Sequence, residues 1–249
     1  MLPVKAVVFD FIGTLTEVKN YSLEGSTMKM YETITEAGFD ITADKFLDAY
    51  GQAHEKHRII RYQKLTEVTN AVWISEALNN LGFQTTPDDT RVKNAVNVFF
   101  QDYVDSLKIR PCAKSILEQV STDHKLGLVS NFTYAPVIYA GLRKLGINQF
   151  FNAVLVSEEV GWRKPSRRIF EEALRRLGVT GEETVYVGDS PLEDIKGAKA
   201  LGMRTIFVPS QFYSLDSLHE SLQKPDLIVK DICELCSRFH EFANRTEDV

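Results

Sequence analysis

Cysteine is scarce. Three cysteines in 249 residues cannot build the disulfide framework on which small secreted domains depend, so the expected setting is reducing and cytosolic. Long apolar runs are missing too. The longest stretch without a charge covers residues 126–142, and it carries Ser130, Asn131, Thr133 and Pro136, a poor membrane span. No signal-peptide pattern precedes the first strand-like run. Nor is there a surplus of positive charge. With 29 basic and 34 acidic residues the net charge is −5, which speaks against non-specific nucleic-acid binding. Internal repeats and low-complexity segments are absent. What is present is an ordinary globular composition, 44% apolar and 25% charged, at a length that suits one α/β domain with an insertion or two small domains.

Residues 4–9 (VKAVVF) form a short, β-branched run that reads as a buried strand with Asp10 at its end. From residue 22 to about 107 the character changes. Only Gly25, Gly38, Gly51 and Gly82 interrupt a helical pattern, and AGFDIT and LGFQTTPDD have the composition of helix-to-helix turns. Helices are expected at about 22–37, 42–60, 65–81 and 87–106. Beyond Pro111, strands at 126–129, 153–156, 184–187, 205–208 and 226–229 alternate with helices, and residues 243–249 read as a polar tail. That alternation predicts an α/β fold, a doubly wound, Rossmann-like parallel sheet. The expected division is a core of residues 1–16 and 108–249 and a helical cap of residues 17–107. Ligands bind beyond the carboxyl ends of such strands, so an insertion directly after the first strand lies over the crevice as a lid.

The strand ends collect the chemistry. Asp10 and Thr14 follow the first core strand, Ser130 and Asn131 the second. Lys164 lies beyond the third, and Asp189 and Asp194 follow the fourth. Three carboxylates at one sheet edge repel one another unless a cation joins them, and a small oxygen-only donor set suits Mg²⁺. Lys164 offers a fixed positive charge to an anion and Ser130 a hydroxyl donor. Simpler readings compete. Ser130 and Asn131 could cap the next helix, Asp189 and Asp194 could charge a helix N-terminus, and Lys164 shares a basic run with Arg163, Arg167 and Arg168 that reads as solvated. The C-x-x-C of Cys233 and Cys236 reads as one packed helix face. His54 and His57 read as solvated cap positions, and Trp162 as either pocket wall or core cover.

FDFIGTLT at 9–16, VSN at 129–131, KP at 164–165 and GDSPLED at 188–194 resemble, in order, the four motifs of the haloacid dehalogenase-like hydrolase superfamily. The resemblance covers essentially the whole chain and implies a hydrolase acting on a small phosphorylated or halogenated metabolite. It implies that Asp10 is the nucleophile and that Lys164 screens it and stabilises developing charge. Thr14 and Ser130 would bind the transferring group, with Asn131 in the same motif. Asp10, the backbone carbonyl of Ile12 and Asp189 would ligate Mg²⁺, with Asp194 as a further ligand or the holder of its water.

One position departs. The family's phosphatases carry a second Asp two residues after the nucleophile, as general acid and base, and this chain has Ile12. Such help is worth about 10²–10⁴ in rate. The departure leaves four readings: a Mg²⁺-dependent phosphatase suited to good leaving groups; a 2-haloacid dehalogenase; a phosphonoacetaldehyde hydrolase-like enzyme with its Schiff-base lysine among Lys29, Lys45, Lys56 and Lys64; or a binding module on the same scaffold.

Overall fold

A computed structural model describes residues 2–244. Strand β1 (Ala6–Phe9) leads to a short strand β2 (Thr16–Val18), four helices α1 (Leu23–Glu36), α2 (Ala43–Lys64), α3 (Asn70–Asn80) and α4 (Thr90–Ser106), and strand β3 (Leu107–Ile109). The chain then alternates through α5 (Ala113–Val120), β4 (Lys125–Ser130), α6 (Ala135–Lys144), β5 (Ala153–Val156), α7 (Ser157–Val160) and α8 (Arg167–Leu177). It ends with β6 (Thr184–Gly188), α9 (Lys196–Lys199), β7 (Arg204–Phe207), α10 (Leu215–Glu220), β8 (Leu227–Ile228) and α11 (Ile232–Ala243). Six strands form one parallel sheet in the order β5-β4-β1-β6-β7-β8. The expected α/β fold is therefore present. All of the polar tail beyond residue 244 lies outside the described residues.

Strand β1 is central because both of its faces are apolar. Val7 and Phe9 pack into one layer with Ile116, Leu117 and Ile138; Ala6 and Val8 pack into the other with Ile169, Phe170 and Ala173. All four of its side chains are buried, and full burial of a residue such as Phe9 contributes roughly 1.5–3 kcal/mol. The register sets Phe9 beside Leu128 of β4 and Val187 of β6, so β1, β4 and β6 end within two residues of one another.

The helices between β2 and β3 form two packed pairs, α1 with α4 and α2 with α3. Ser22 caps α1 by accepting from the Gly25 N–H, and Asp89 caps α4 by accepting from that of Arg91. Expected and observed helices differ mainly at residues 65–69, where Leu65 turns left-handed and ends α2. Strands β2 and β3, three residues each, pair antiparallel, with Glu17 opposite Lys108. The expected boundaries at 16/17 and 107/108 fall inside this ribbon.

The cysteine reading needs correction. Cys112 and Cys233, 121 residues apart, form a disulfide that ties the start of α5 to α11, and Cys236 stays free. Cys233 therefore finds its partner across the fold rather than in Cys236 on its own helix. Among the described residues, no helix is long and apolar enough to cross a membrane.

Candidate active site

Asp10 leaves the carboxyl end of β1, and its N–H donates to the Val187 carbonyl at 2.9 Å, which holds the residue against β6. The Lys164 ammonium is buried beneath it. Its Nζ lies 2.7 Å from Asp10 Oδ1, 2.6 Å from Asp194 Oδ1, 2.9 Å from the Val129 carbonyl and 3.1 Å from the Tyr186 hydroxyl. The remaining oxygen of Asp10, Oδ2, is buried without a partner. Carboxylate oxygens of Asp10, Asp189 and Asp194 all lie within 4.8 Å of one another. Gly13, at φ 103°, lets the chain turn there, and a Cβ on it would collide with the Asp189 carboxylate.

The electrostatics follow from three acids around one base. Burial, opposed by Lys164 and reinforced by Asp194, pushes the Asp10 carboxyl up to about 6. Burial, with Asp10 and Asp194 nearby, also raises Asp189 well above the usual carboxylate range. For Lys164, burial works against the ammonium, but Asp10 and Asp194 outweigh it and hold the group well above its ordinary value.

Two residues of this cluster are spent on architecture. Asp194 Oδ1 receives Lys164 and the Tyr186 hydroxyl, at 3.0 Å, while Oδ2 accepts the backbone N–H groups of Asp189 and Ser190 at 3.1 and 2.9 Å. Both of its oxygens are thus engaged. The Asn131 side chain accepts from the Lys164 N–H at 2.7 Å and donates to the Lys164 carbonyl at 3.0 Å and to Glu193 at 2.8 Å. Its amide clamps the lysine's own backbone.

Asp10, Ile12, Ser130, Asn131, Lys164, Asp189 and Asp194 line one cleft of about 180 Å³. Thr14 does not line it. It is fully buried, its hydroxyl is unpartnered, and Arg110 binds the carbonyls of Gly13 and Thr14.

Several participants have no local sequence signal. Arg163, expected to be solvated, is 3% exposed. Its guanidinium donates to Glu193 at 3.0 Å and lies 3.7 Å from Glu67, which sits between α2 and α3. Glu67 also receives Arg61 and the Ser157 hydroxyl, and Ser210 donates to Asp189. His57 is buried against Glu76 rather than solvated, and His54 lines a larger cavity beside the cleft. Trp162 packs over the core, with the Arg168 guanidinium 3.9 Å above its ring. Lys29 pairs with Asp102 and Lys56 with Glu76, and neither these nor Lys45 or Lys64 line the cleft or that cavity.

A strand-end carboxylate over a buried lysine, at the carboxyl edge of a doubly wound sheet, is an arrangement suited to hydrolysis. The chain belongs to the haloacid dehalogenase-like hydrolase family, whose model matches residues 4–202. It is 32% identical over 213 residues to the glyceraldehyde 3-phosphate phosphatase of Methanopyrus kandleri, covering 82% of this chain and 83% of that protein. Against the glyceraldehyde 3-phosphate phosphatase of Methanothermobacter thermautotrophicus it is 38% identical over 122 residues, 49% of this chain and 54% of that protein, so the match spans about half the relative's length. The 2-haloacid dehalogenase of Pseudomonas syringae pv. Tomato shares the fold, with a TM-score of 0.69 at 22% identity over 96% of this chain and 99% of that one.

Proposed function

We propose that the protein is a Mg²⁺-dependent phosphatase that forms an aspartyl-phosphate on Asp10 and favours leaving groups that need no proton. The observation that carries this reading is Ile12, an aliphatic side chain lining the same cleft as Asp10 and Lys164. Support comes from the relatives above, named as phosphatases.

In the first half-reaction an Asp10 oxygen attacks phosphorus, the bond to the leaving oxygen breaks, and the leaving group departs with the electron pair. Lys164 holds Oδ1 of Asp10 at 2.7 Å and so fixes the carboxylate for attack. The lysine also offsets negative charge as it builds on the phosphoryl oxygens. Ser130 donates its hydroxyl to the group in transit. In the second half-reaction water attacks phosphorus, the Asp10 carboxylate leaves, and inorganic phosphate is released. With Ile12 in place of an acid, neither the leaving oxygen nor the water receives proton help from that position. Residues 17–107 act as the lid.

The cluster fits a divalent cation: an unpartnered buried oxygen on Asp10, a second carboxylate on Asp189, and more negative charge than Lys164 alone balances. Asp10, Asp189 and the Ile12 carbonyl would hold Mg²⁺, and Asp194 would keep in place the turn that carries Asp189. When bound, the ion supplies charge stabilisation at the phosphoryl group.

The metal has a signature in stability. A carboxyl raised on folding favours the folded state only while it is protonated, so Asp10 and Asp189 lower stability as pH rises through their folded values. A cation removes that cost. Adding Mg²⁺ at about 100 times its dissociation constant to chelator-treated protein at pH 7.5 should raise the melting temperature by roughly 5–10 °C. Asp189→Asn should melt higher than the wild type in chelator and respond little to Mg²⁺. Equal Mg²⁺ shifts in both proteins would remove Asp189 from the metal site.

The reading of Ile12 is tested by rate against leaving-group acidity. Acyl and aryl phosphates should exceed alkyl phosphates by orders of magnitude, in step with leaving-group pKa. Ile12→Asp should raise alkyl phosphate turnover by roughly 10²-fold while changing aryl phosphate turnover little. A flat dependence would mean that another acid serves the leaving oxygen. Halide release from a 2-haloacid with no phosphate release would replace the phosphatase reading.

A further inference from the structure

The catalytic cleft opens, past Tyr103 and Phe132, into a second cavity of about 550 Å³ under the inserted helices. Its volume lies in the roughly 300–1,000 Å³ range that accommodates drug-sized ligands. A three-carbon sugar phosphate, with its phosphate in the cleft, would leave most of this space unfilled.

Aromatic rings dominate the walls. Tyr50 comes from α2, Trp73 from α3, and Phe99, Phe100 and Tyr103 from α4. The lining cations are already neutralised, Arg61 by Glu67 and Arg163 by Glu193 and Glu67. No lysine lines the cavity, and burial, with Arg61 nearby, disfavours a charge on His54. Each lining arginine has a carboxylate beside it that offsets its charge. Three wall residues have buried polar atoms without a hydrogen bond: the side-chain oxygen of Asn70, the indole N–H of Trp73, and Nε and Nη1 of Arg163.

From these walls, and resting on the phosphatase reading, we infer that the cavity is a leaving-group subsite for uncharged aromatic groups. The protein's substrates are then aryl or aroyl phosphates rather than sugar phosphates. The cleft is compatible with this class, because Ile12 favours a leaving group that departs without a proton and aroyl carboxylates and acidic aryl oxides do so. The ring packs against Trp73 and Tyr50, and a donor on it meets the Asn70 oxygen.

Acetyl phosphate and benzoyl phosphate separate ring from reactivity, since their leaving groups are carboxylates of similar acidity. Benzoyl phosphate should show a kcat/KM at least about tenfold higher, the discrimination that a well-packed apolar group supplies. Trp73→Leu should reduce that preference to near unity. Tyr50→Leu, at a half-buried position where truncation threatens folding less, should reduce it in the same direction. Equal kcat/KM for the two substrates in the wild type would overturn the subsite.

If neither compound is hydrolysed, the phosphatase reading fails and the subsite is judged by binding. The chain has two tryptophans, and only Trp73 lines the cavity. Phenyl phosphate should then change the fluorescence of Asp10→Asn,Trp162→Phe protein saturably, and methyl phosphate should not. No change with either, or the same change with both, would overturn the subsite independently of turnover.

Discussion

Asp10→Asn should abolish phosphate release from every substrate while leaving the circular dichroism spectrum unchanged. An amide oxygen is a poor nucleophile, and removing a nucleophile of this kind costs on the order of 10⁴–10⁶ in rate. The fold should survive because Lys164 keeps three of its four oxygen partners, Asp194, Val129 and Tyr186. The change also replaces a carboxyl that burial has pushed up to about 6, so no stabilising ionisation is lost at neutral pH. Phosphate release by purified variant, measured with the most reactive acyl phosphate that the wild type accepts, checks the assignment. Turnover near the wild-type rate would give the nucleophile's role to another residue.

Lys164→Met should damage both function and stability. The lysine is 2% exposed and, among the described residues, is the one ammonium bonded to Asp10 and Asp194, so a neutral replacement leaves buried carboxylates without compensation. Breaking such a pair by removing one partner costs about 3–5 kcal/mol. The loss should depend on pH. Without the ammonium, Asp10 is raised beyond about 6, and a raised carboxyl favours the folded state only below its unfolded value, losing that advantage as pH climbs. Chemical denaturation should therefore show a large deficit at pH 7.5 and a smaller one at pH 5. Equal deficits would mean that lost packing, not unpaired charge, is responsible. Activity should fall by at least about 10²-fold at either pH.

Asp10, Ser130 and Asp189 were legible in the sequence because each follows a run of buried apolar residues, and a parallel sheet aligns such run ends at one edge. Lys164 was legible only through its motif. Its neighbours Arg163, Arg167 and Arg168 make a run that reads as solvent-facing, yet Arg163 is buried because Glu67 and Glu193 neutralise it. No local pattern reveals an ionic triad assembled from three separate parts of the chain. Strands β2 and β3 escaped for a different reason, since three residues are too few to establish a period. The Cys112–Cys233 bond was hidden by its sequence separation of 121. The cavity walls were beyond reach because amphipathic helices show which residues are apolar, not which of them border empty space.

The peptide bond between Arg163 and Lys164 joins two different bodies. On one side the Arg163 N–H donates to the Leu65 carbonyl at 3.0 Å and the guanidinium lies 3.7 Å from Glu67 among the inserted helices; on the other the ammonium holds the Asp10 carboxylate. Asn131 fixes the short backbone segment between them at both its N–H and its carbonyl. That segment behaves as a strut. An occupant too long for the cavity would press on Arg61 and Arg163 of its wall, strain their shared contact with Glu67 and disturb the seat of the lysine next to Arg163. Length is thereby read twice, once by the walls that exclude an oversized molecule and once by the charge it would displace from the reacting oxygen.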